Sequence, residues 1–192
     1  LALARASLNA LQALGVADFY AGLTMPIQRI HVSRRGDFGA VRIAADELDL
    51  PELGAVLPAR ELGNALLQRL ERYADLQRHA PAELTAIQSH ADHVALRLRT
   101  KDGEVELQTR LLVGADGTRS MVRAHFGIET SDTDYEQSAI VTTLTPSRPL
   151  DGTAYERFTD TRPVALLPLT GGRAGLTLRV PVEDAGAISP LA

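Results

Sequence analysis

The sequence predicts a mixed α/β chain, α+β in its layout, assembled from two interleaved units whose strands come from alternating segments. Three observations carry this. Two stretches repeat leucine at helical spacing, several β-rich stretches alternate apolar with polar residues, and one apolar run, Leu111-Leu112-Val113, does not alternate. Helices repeat every 3.6 residues and half-buried strands every two, whereas a strand covered on both faces of an α/β sheet reads as continuously apolar.

The first helix is expected over residues 6–15, with Leu8, Leu11 and Leu14 behind Ser7 as N-cap and Gly15 supplying a left-handed stop. Ile30 to Arg34 and Phe38 to Ile43 then read as a β-hairpin turning at Arg35-Gly36-Asp37. A second helix starts at Pro58, which suits a first turn, and carries Leu62, Leu66, Leu70 and Tyr73 on one face to about Ala74. Beyond Pro81, Leu84 to Ile87 leads into Val94, Leu96 and Leu98, which alternate with polar residues before Asp102-Gly103. Val105 and Leu107 resume that alternation, the signature of a tight hairpin within a meander. After the unbroken strand 111–113 comes a turn and a helix stopped at Gly127. The rest is β-rich, with runs at Ile140 to Thr145, Ala154 to Thr159, Val164 to Leu169 and Ala174 to Val180. These segments group as residues 1–23 and 58–134 in an α/β unit and residues 24–57 and 135–192 in a β-rich one.

Composition narrows the function. A formal charge of −4 leaves no basic excess to neutralise a phosphate backbone, so a nucleic-acid partner is not expected. With no cysteine there is neither a disulfide framework nor a thiolate metal site. The cytoplasm is the expected compartment. The longest uncharged apolar runs fall far short of the roughly 20 residues of a spanning helix. The opening Leu1-Ala2-Leu3 has no initiator Met and no basic lead, so an internal stretch of a longer protein is expected.

Chemistry concentrates in residues 111–128, an apolar strand, an Asp-Gly turn and a helix. Asp116 stands at the carboxyl end of the strand, where α/β sheets bind ligands, and where it could equally cap the helix through free backbone N–H groups. Gly117 permits close backbone approach, and the helix start offers N–H donors to an anion. Residue chemistry alone leaves both readings open.

The full string resembles the Asp-Gly motif of FAD-dependent aromatic-ring monooxygenases: apolar strand, Asp-Gly, Ser three residues after the Gly, Arg three further on. Asp116, Gly117, Ser120 and Arg123 fill those places. His31 to Gly36, Leu62 to Leu67, Tyr135-Glu136-Gln137, Tyr155 to Thr159 and Ala165 to Leu169 are similar to the ubiquinone-biosynthesis branch, the octaprenyl-methoxyphenol hydroxylases in particular. This resemblance implies part of a Rossmann-like FAD/NAD(P)-binding domain joined to a β-rich substrate domain. It implies FAD and NAD(P)H as cofactors, O2 as oxidant and a prenylated (methoxy)phenol as substrate. It also implies that Asp116, Gly117, Ser120 and Arg123 form part of the FAD site, near the pyrophosphate and the nicotinamide route. Association with the periphery of the inner membrane, or with a ubiquinone-biosynthesis complex, is compatible with it.

The departures set further expectations. No Gly-x-Gly-x-x-Gly fingerprint is present, and the family's second, C-terminal Gly-Asp motif does not follow, so an incomplete chain that does not turn over alone is expected. Relatives place an Arg or Gln near Ala59, which leaves Arg60, one position off, as a flavin contact. No catalytic side chain is assigned, since flavin chemistry belongs to the cofactor. His90 and His93 read as surface residues and no metal is expected. Arg35-Gly36-Asp37 reads as a hairpin tip. Alternatives are another flavin-dependent ring hydroxylase or halogenase, and, in another class, a noncatalytic scaffold.

Overall fold

The computed structural model describes residues 1–160 and 162–188, and these form two compact units, residues 1–74 with 134–192 and residues 75–133. In chain order the first unit begins with β1 (Ala2–Ala4), α1 (Arg5–Ala13), a 3₁₀ turn (Ala17–Phe19), β2 (Met25–Ile27), β3 (Arg29–Arg34), β4 (Ala40–Ala44), β5 (Gly54–Val56) and α2 (Ala59–Leu70). The second unit holds β6 (Ala82–Ser89), β7 (Val94–Thr100), β8 (Gly103–Thr109) and α3 (Met121–His125). The chain then returns to the first with β9 (Gln137–Leu144), β10 (Thr153–Phe158), β11 (Pro163–Pro168), β12 (Ala174–Pro181) and α4 (Val182–Ile188). The mixed α/β, strand-rich class is the one expected.

The first unit contains a six-stranded sheet in the order β4-β3-β10-β11-β12-β9 and a three-stranded sheet in the order β1-β5-β2. The expected hairpin is β3 with β4, in antiparallel register from Arg29 opposite Ala44 to Ser33 opposite Ala40, and its tip lies at Arg35 to Asp37. β3 also pairs with β10 in parallel, Arg29 opposite Thr153 through Arg34 opposite Phe158, so early and late segments of the chain share one sheet. The crossing point is held by Arg29, which donates from Nε to Thr153 Oγ1 at 3.2 Å and from Nη2 to the Asp151 carbonyl at 2.8 Å. β1, β2 and β5 were not anticipated, because strands of three residues are too short to display a period.

α1 begins at Arg5 with Ala4 as its N-cap, so Ser7 lies inside the helix rather than capping it. Gly15 does adopt the left-handed conformation, φ +68°. α2 stops at Leu70, four residues short of the expected Ala74, and Pro58 is its N-cap. Ala65 is fully buried in a cluster with Val16, Tyr20 and Leu57, and of the expected face Leu62 packs against that cluster while Leu66, Leu70 and Tyr73 stay exposed. Helical spacing is satisfied by two neighbouring faces here, and the smaller residue packs closest. Gly54 is obligatory for another reason: any Cβ there would run into the Leu3 carbonyl oxygen across the β1–β5 ladder.

The second unit is the expected meander, β6-β7-β8, but its two-residue turn is Lys101-Asp102, one residue earlier than expected, with Gly103 already paired to Thr100. One face is laced by ion pairs, Arg97 with Glu106 at 2.9 Å and Arg99 with Glu83 at 3.0 Å. At this exposure such pairs contribute little to stability. The expected strand at Leu111-Leu112-Val113 is corrected: it belongs to no ladder among the described residues, and Leu111 and Val113 are 76% and 74% exposed. A strand exists only where its N–H and C=O groups find a neighbouring backbone, and none of the described strands runs alongside this segment.

Leu57 is completely buried in the cluster that joins α1, α2 and the 3₁₀ turn. Leu57→Ala leaves a cavity there and is expected to lower unfolding stability by about 2–5 kcal/mol, read as a reduced urea midpoint with unchanged slope. Leu66→Ala, on the exposed face, is expected to change it by less than about 1 kcal/mol.

Candidate functional site

The site grows from a turn that closes on itself. The chain leaves Val113, passes through Gly114, Ala115 and Asp116, reverses at Gly117 and enters α3 through Ser120. Gly117 sits at φ +83°, where a side chain is strained, and nothing lies within 4 Å of the position a Cβ would take. Gly114 is needed for the opposite reason, since a Cβ there would come within 2.9 Å of the Val122 side chain. Sequence reading missed Gly114; its signal was a second glycine just before the Asp-Gly pair.

All four expected residues come together. Asp116 accepts from the Ser120 hydroxyl on Oδ1 at 2.5 Å, and on Oδ2 from the Met121 and Val122 backbone N–H groups at 2.7 and 3.3 Å. Ser120, nearly buried, is the N-cap of α3 and in turn accepts from the Arg123 N–H at 2.9 Å. Arg123 reaches back and donates from Nη2 to the Thr118 carbonyl at 2.6 Å. Its guanidinium therefore closes the loop instead of floating on a solvated helix face. The helix ends at Gly127, φ +64°, as anticipated.

The capping reading of Asp116 is thus realised, and it does not exhaust the carboxylate. Three donors occupy two oxygens that together offer about four lone-pair directions. The backbone N–H groups of Gly117, Thr118 and Arg119 find no protein acceptor among the described residues. Beside the turn runs an open groove of about 410 Å³ bordered by Gly114, Gly117, Ser120, Arg123 and the apolar Leu112 and Phe126. That size lies at the small end of ligand sites, which span roughly 300–1,000 Å³.

Electrostatically the turn is set for a carboxylate. The Ser120 hydroxyl is the main reason the Asp116 carboxyl is held below its usual range; partial desolvation opposes this, and the backbone donors add to it.

The other candidates fall elsewhere. Arg60 opens α2 in the first unit, with its guanidinium 2.9 Å from Glu61. His90 and His93 stack at 4.4 Å between ring centres, and His93 Nδ1 meets Asp92 at 2.8 Å. No group of three or more His, Asp or Glu side chains among the described residues is placed to hold a metal. No helix among them is long and apolar enough to cross a membrane.

Comparison with known proteins decides the family. Residues 1–185 match the model of a family described as an FAD binding domain. The chain belongs to this FAD-binding family. It is homologous to FAD-dependent monooxygenases. Among its curated relatives, the ubiquinone hydroxylase UbiL of Rhodospirillum rubrum is 37% identical over 175 residues, covering 91% of this chain and 40% of the relative. The 3-demethoxyubiquinol 3-hydroxylase of Escherichia coli is 33% identical over 180 residues, covering 91% and 44%. The chain thus spans about two fifths of the length of these relatives. Among solved structures, P. aeruginosa PqsL in complex with 2-aminobenzoylacetate superposes with a TM-score of 0.82 at 20% identity, over 97% of this chain and 51% of that one. Such a likeness establishes the FAD-monooxygenase fold.

Two outcomes follow for the turn. Ser120→Ala removes the N-cap acceptor and is expected to cost about 1 kcal/mol of stability, measured by denaturant unfolding, with Ser120→Thr recovering most of it. Because the folded-state pKa of Asp116 is depressed, its contribution is fully present above the ordinary carboxylate value and is lost as pH falls through the lowered one. Amide-exchange protection at Met121 and Val122 should therefore persist through mildly acidic pH and disappear only below the usual carboxylate range. An Asp116 titration by NMR at or above the ordinary value would contradict this arrangement.

Proposed function

We propose that the protein to which this chain belongs is an FAD-dependent, NAD(P)H-using monooxygenase that hydroxylates a prenylated (methoxy)phenol in ubiquinone biosynthesis. The observation that carries this is sequence kinship: a ubiquinone hydroxylase and a demethoxyubiquinol hydroxylase align at 37% and 33% identity across 91% of the chain. Fold likeness does not discriminate, since a flavin-dependent halogenase, CmlS, also superposes, with a TM-score of 0.75 at 18% identity.

In this reading Asp116, Gly117, Ser120 and Arg123 are one wall of the FAD site. The three free N–H groups of residues 117–119 face an anionic part of the cofactor, and Gly117 allows the backbone to come close. Asp116 and Ser120 keep that backbone in place through the cap, and Arg123 ties down Thr118. When bound, FAD supplies the redox and oxygen chemistry. The protein's share is to orient the ring, exclude water and hold the cofactor. Residues 1–23 and 58–134 belong to the cofactor domain and 24–57 and 135–192 to the substrate domain; Thr161 and residues 189–192 lie outside the described residues.

The wall for a greasy substrate is one face of the six-stranded sheet. Directly opposed residues on neighbouring strands share a face, and the registers align Leu166 with Leu176, and Val164 with Leu178 and Ile140. These side chains are half-buried, an aliphatic surface with capacity for a hydrocarbon chain. Tyr155 and His31 continue the Leu166 row, with ring centres 5.5 Å apart, and give it a polar end.

The test is the intact gene product, purified and supplied with FAD, NADPH or NADH, O2 and 2-octaprenyl-6-methoxyphenol. One added hydroxyl, detected by mass spectrometry and coupled to nicotinamide oxidation, is the expected result; a protein that retains no flavin would end the reading. Gly117→Ala, which forces a side chain into a left-handed position, is expected to weaken FAD about tenfold, the equivalent of roughly 1–2 kcal/mol of backbone strain.

A further inference from the structure

A second cleft lies in the first unit, where the start of α1, the 3₁₀ turn and β5 meet, and it has no part in the groove beside Asp116. Its volume is about 160 Å³, room for about five water molecules at roughly 30 Å³ each. Leu8, Ala17 and Ala55 supply its apolar walls, and the Gln12 and Thr24 side chains border it.

Its centre is a phenol without a partner. Tyr20 is only 6% exposed, with its ring packed among Val16, Leu57 and Ala65. Buried tyrosine hydroxyls usually find a hydrogen bond, yet this one makes none among the described residues. No sealed side-chain nitrogen or oxygen among those residues lacks a partner, so the Tyr20 oxygen is not sealed off, and the residue lines the cleft.

Beside it stands a neutralised pair. Arg5 Nη1 donates to Glu52 Oε1 at 2.8 Å, both side chains being about one third exposed or less, while Glu52 Oε2 receives no hydrogen bond among the described residues. Burial, and then the Glu52 charge, push the Tyr20 phenol pKa up, which keeps it protonated and places it within the field of that carboxylate. With the charges balanced, a further ion would remain uncompensated in a partly desolvated place.

We propose that this cleft binds a small neutral molecule bearing a hydrogen-bond donor and acceptor side by side on an apolar body, a primary carboxamide being the simplest case. The amide N–H donates to Glu52 Oε2, the amide carbonyl accepts from the Tyr20 hydroxyl, and the body rests on Leu8, Ala17 and Ala55. This proposal is independent of the flavin reading, because none of these residues belongs to the Asp116 turn.

Benzamide and its charged counterpart benzoate are the probes, titrated into the intact gene product and followed by amide NMR shifts. Saturable shifts at Gln12, Tyr20 and Thr24 are expected with benzamide, and at least tenfold weaker binding with benzoate. Tyr20→Phe keeps the ring in its packing and is expected to weaken benzamide about fivefold, with the circular dichroism spectrum unchanged. Glu52→Gln is expected to bring the two probes closer together. The proposal fails if benzamide gives no saturable shift, the cleft then holding water alone, if benzoate binds equally well, or if Tyr20→Phe binds as tightly.

Discussion

The parallel ladder between β3 and β10 is the constraint on which the larger unit depends. Its partners lie more than one hundred residues apart in the chain, Arg29 donating to Asp151 and to Thr153 across that gap. Most of what flanks the ladder is local, β4 hairpinned to β3 and β11 and β12 following β10 by short turns, while β9, which precedes β10, pairs with β12 at the far edge. Among the described strands this pairing alone joins the early and late segments, so the 75–133 unit is an excursion from a sheet that the returning chain completes. Gly152, at φ +70°, makes the closure possible, accepting from the Gln28 and Arg29 N–H groups through its carbonyl while its missing side chain leaves room for Gln28.

In the proposed reading, one set of residues at the Asp-Gly turn serves both stability and ligand chemistry. A carboxylate that caps a helix and a backbone that meets an anion require the same thing, a rigid reversal with its N–H groups sorted into two directions. In this protein the N–H groups of Met121 and Val122 go to Asp116, and those of Gly117 to Arg119 have no protein acceptor among the described residues. Ser120 links the two halves because a hydroxyl can donate and accept at once.

Much of this was legible in the residues. The β3–β4 hairpin, the β6-β7-β8 meander and the four late strands carry clear alternation bounded by Gly, Pro and Asp, and each stands within a few residues of its expected place. The Asp116, Gly117, Ser120 and Arg123 set was legible through the motif that the string resembles, while residue chemistry alone left capping and ligand contact both open. What was not legible were the interactions that depend on neighbours distant in the chain. Leu66 and Leu70 fit a buried stripe by period alone, yet the surface that meets α2 is shaped for Ala65. Leu111 to Val113 has the composition of a central strand and no described strand beside it.

By itself the sequence determined much of the local conformation: where glycines turn, which stretches alternate as strands, which faces are apolar, and, through its motif, the family. Those follow from forces acting over a few residues, the sterics of φ, the reach of a side chain to its own backbone and the repeat of helix or strand. The tertiary structure alone decided which strands pair, which apolar face is covered, that Arg29 reaches Thr153, and that Arg5 pairs with Glu52. Each of these needs groups far apart in the chain to be brought within hydrogen-bond or packing distance, and no pattern of neighbouring residues encodes a distance of that kind.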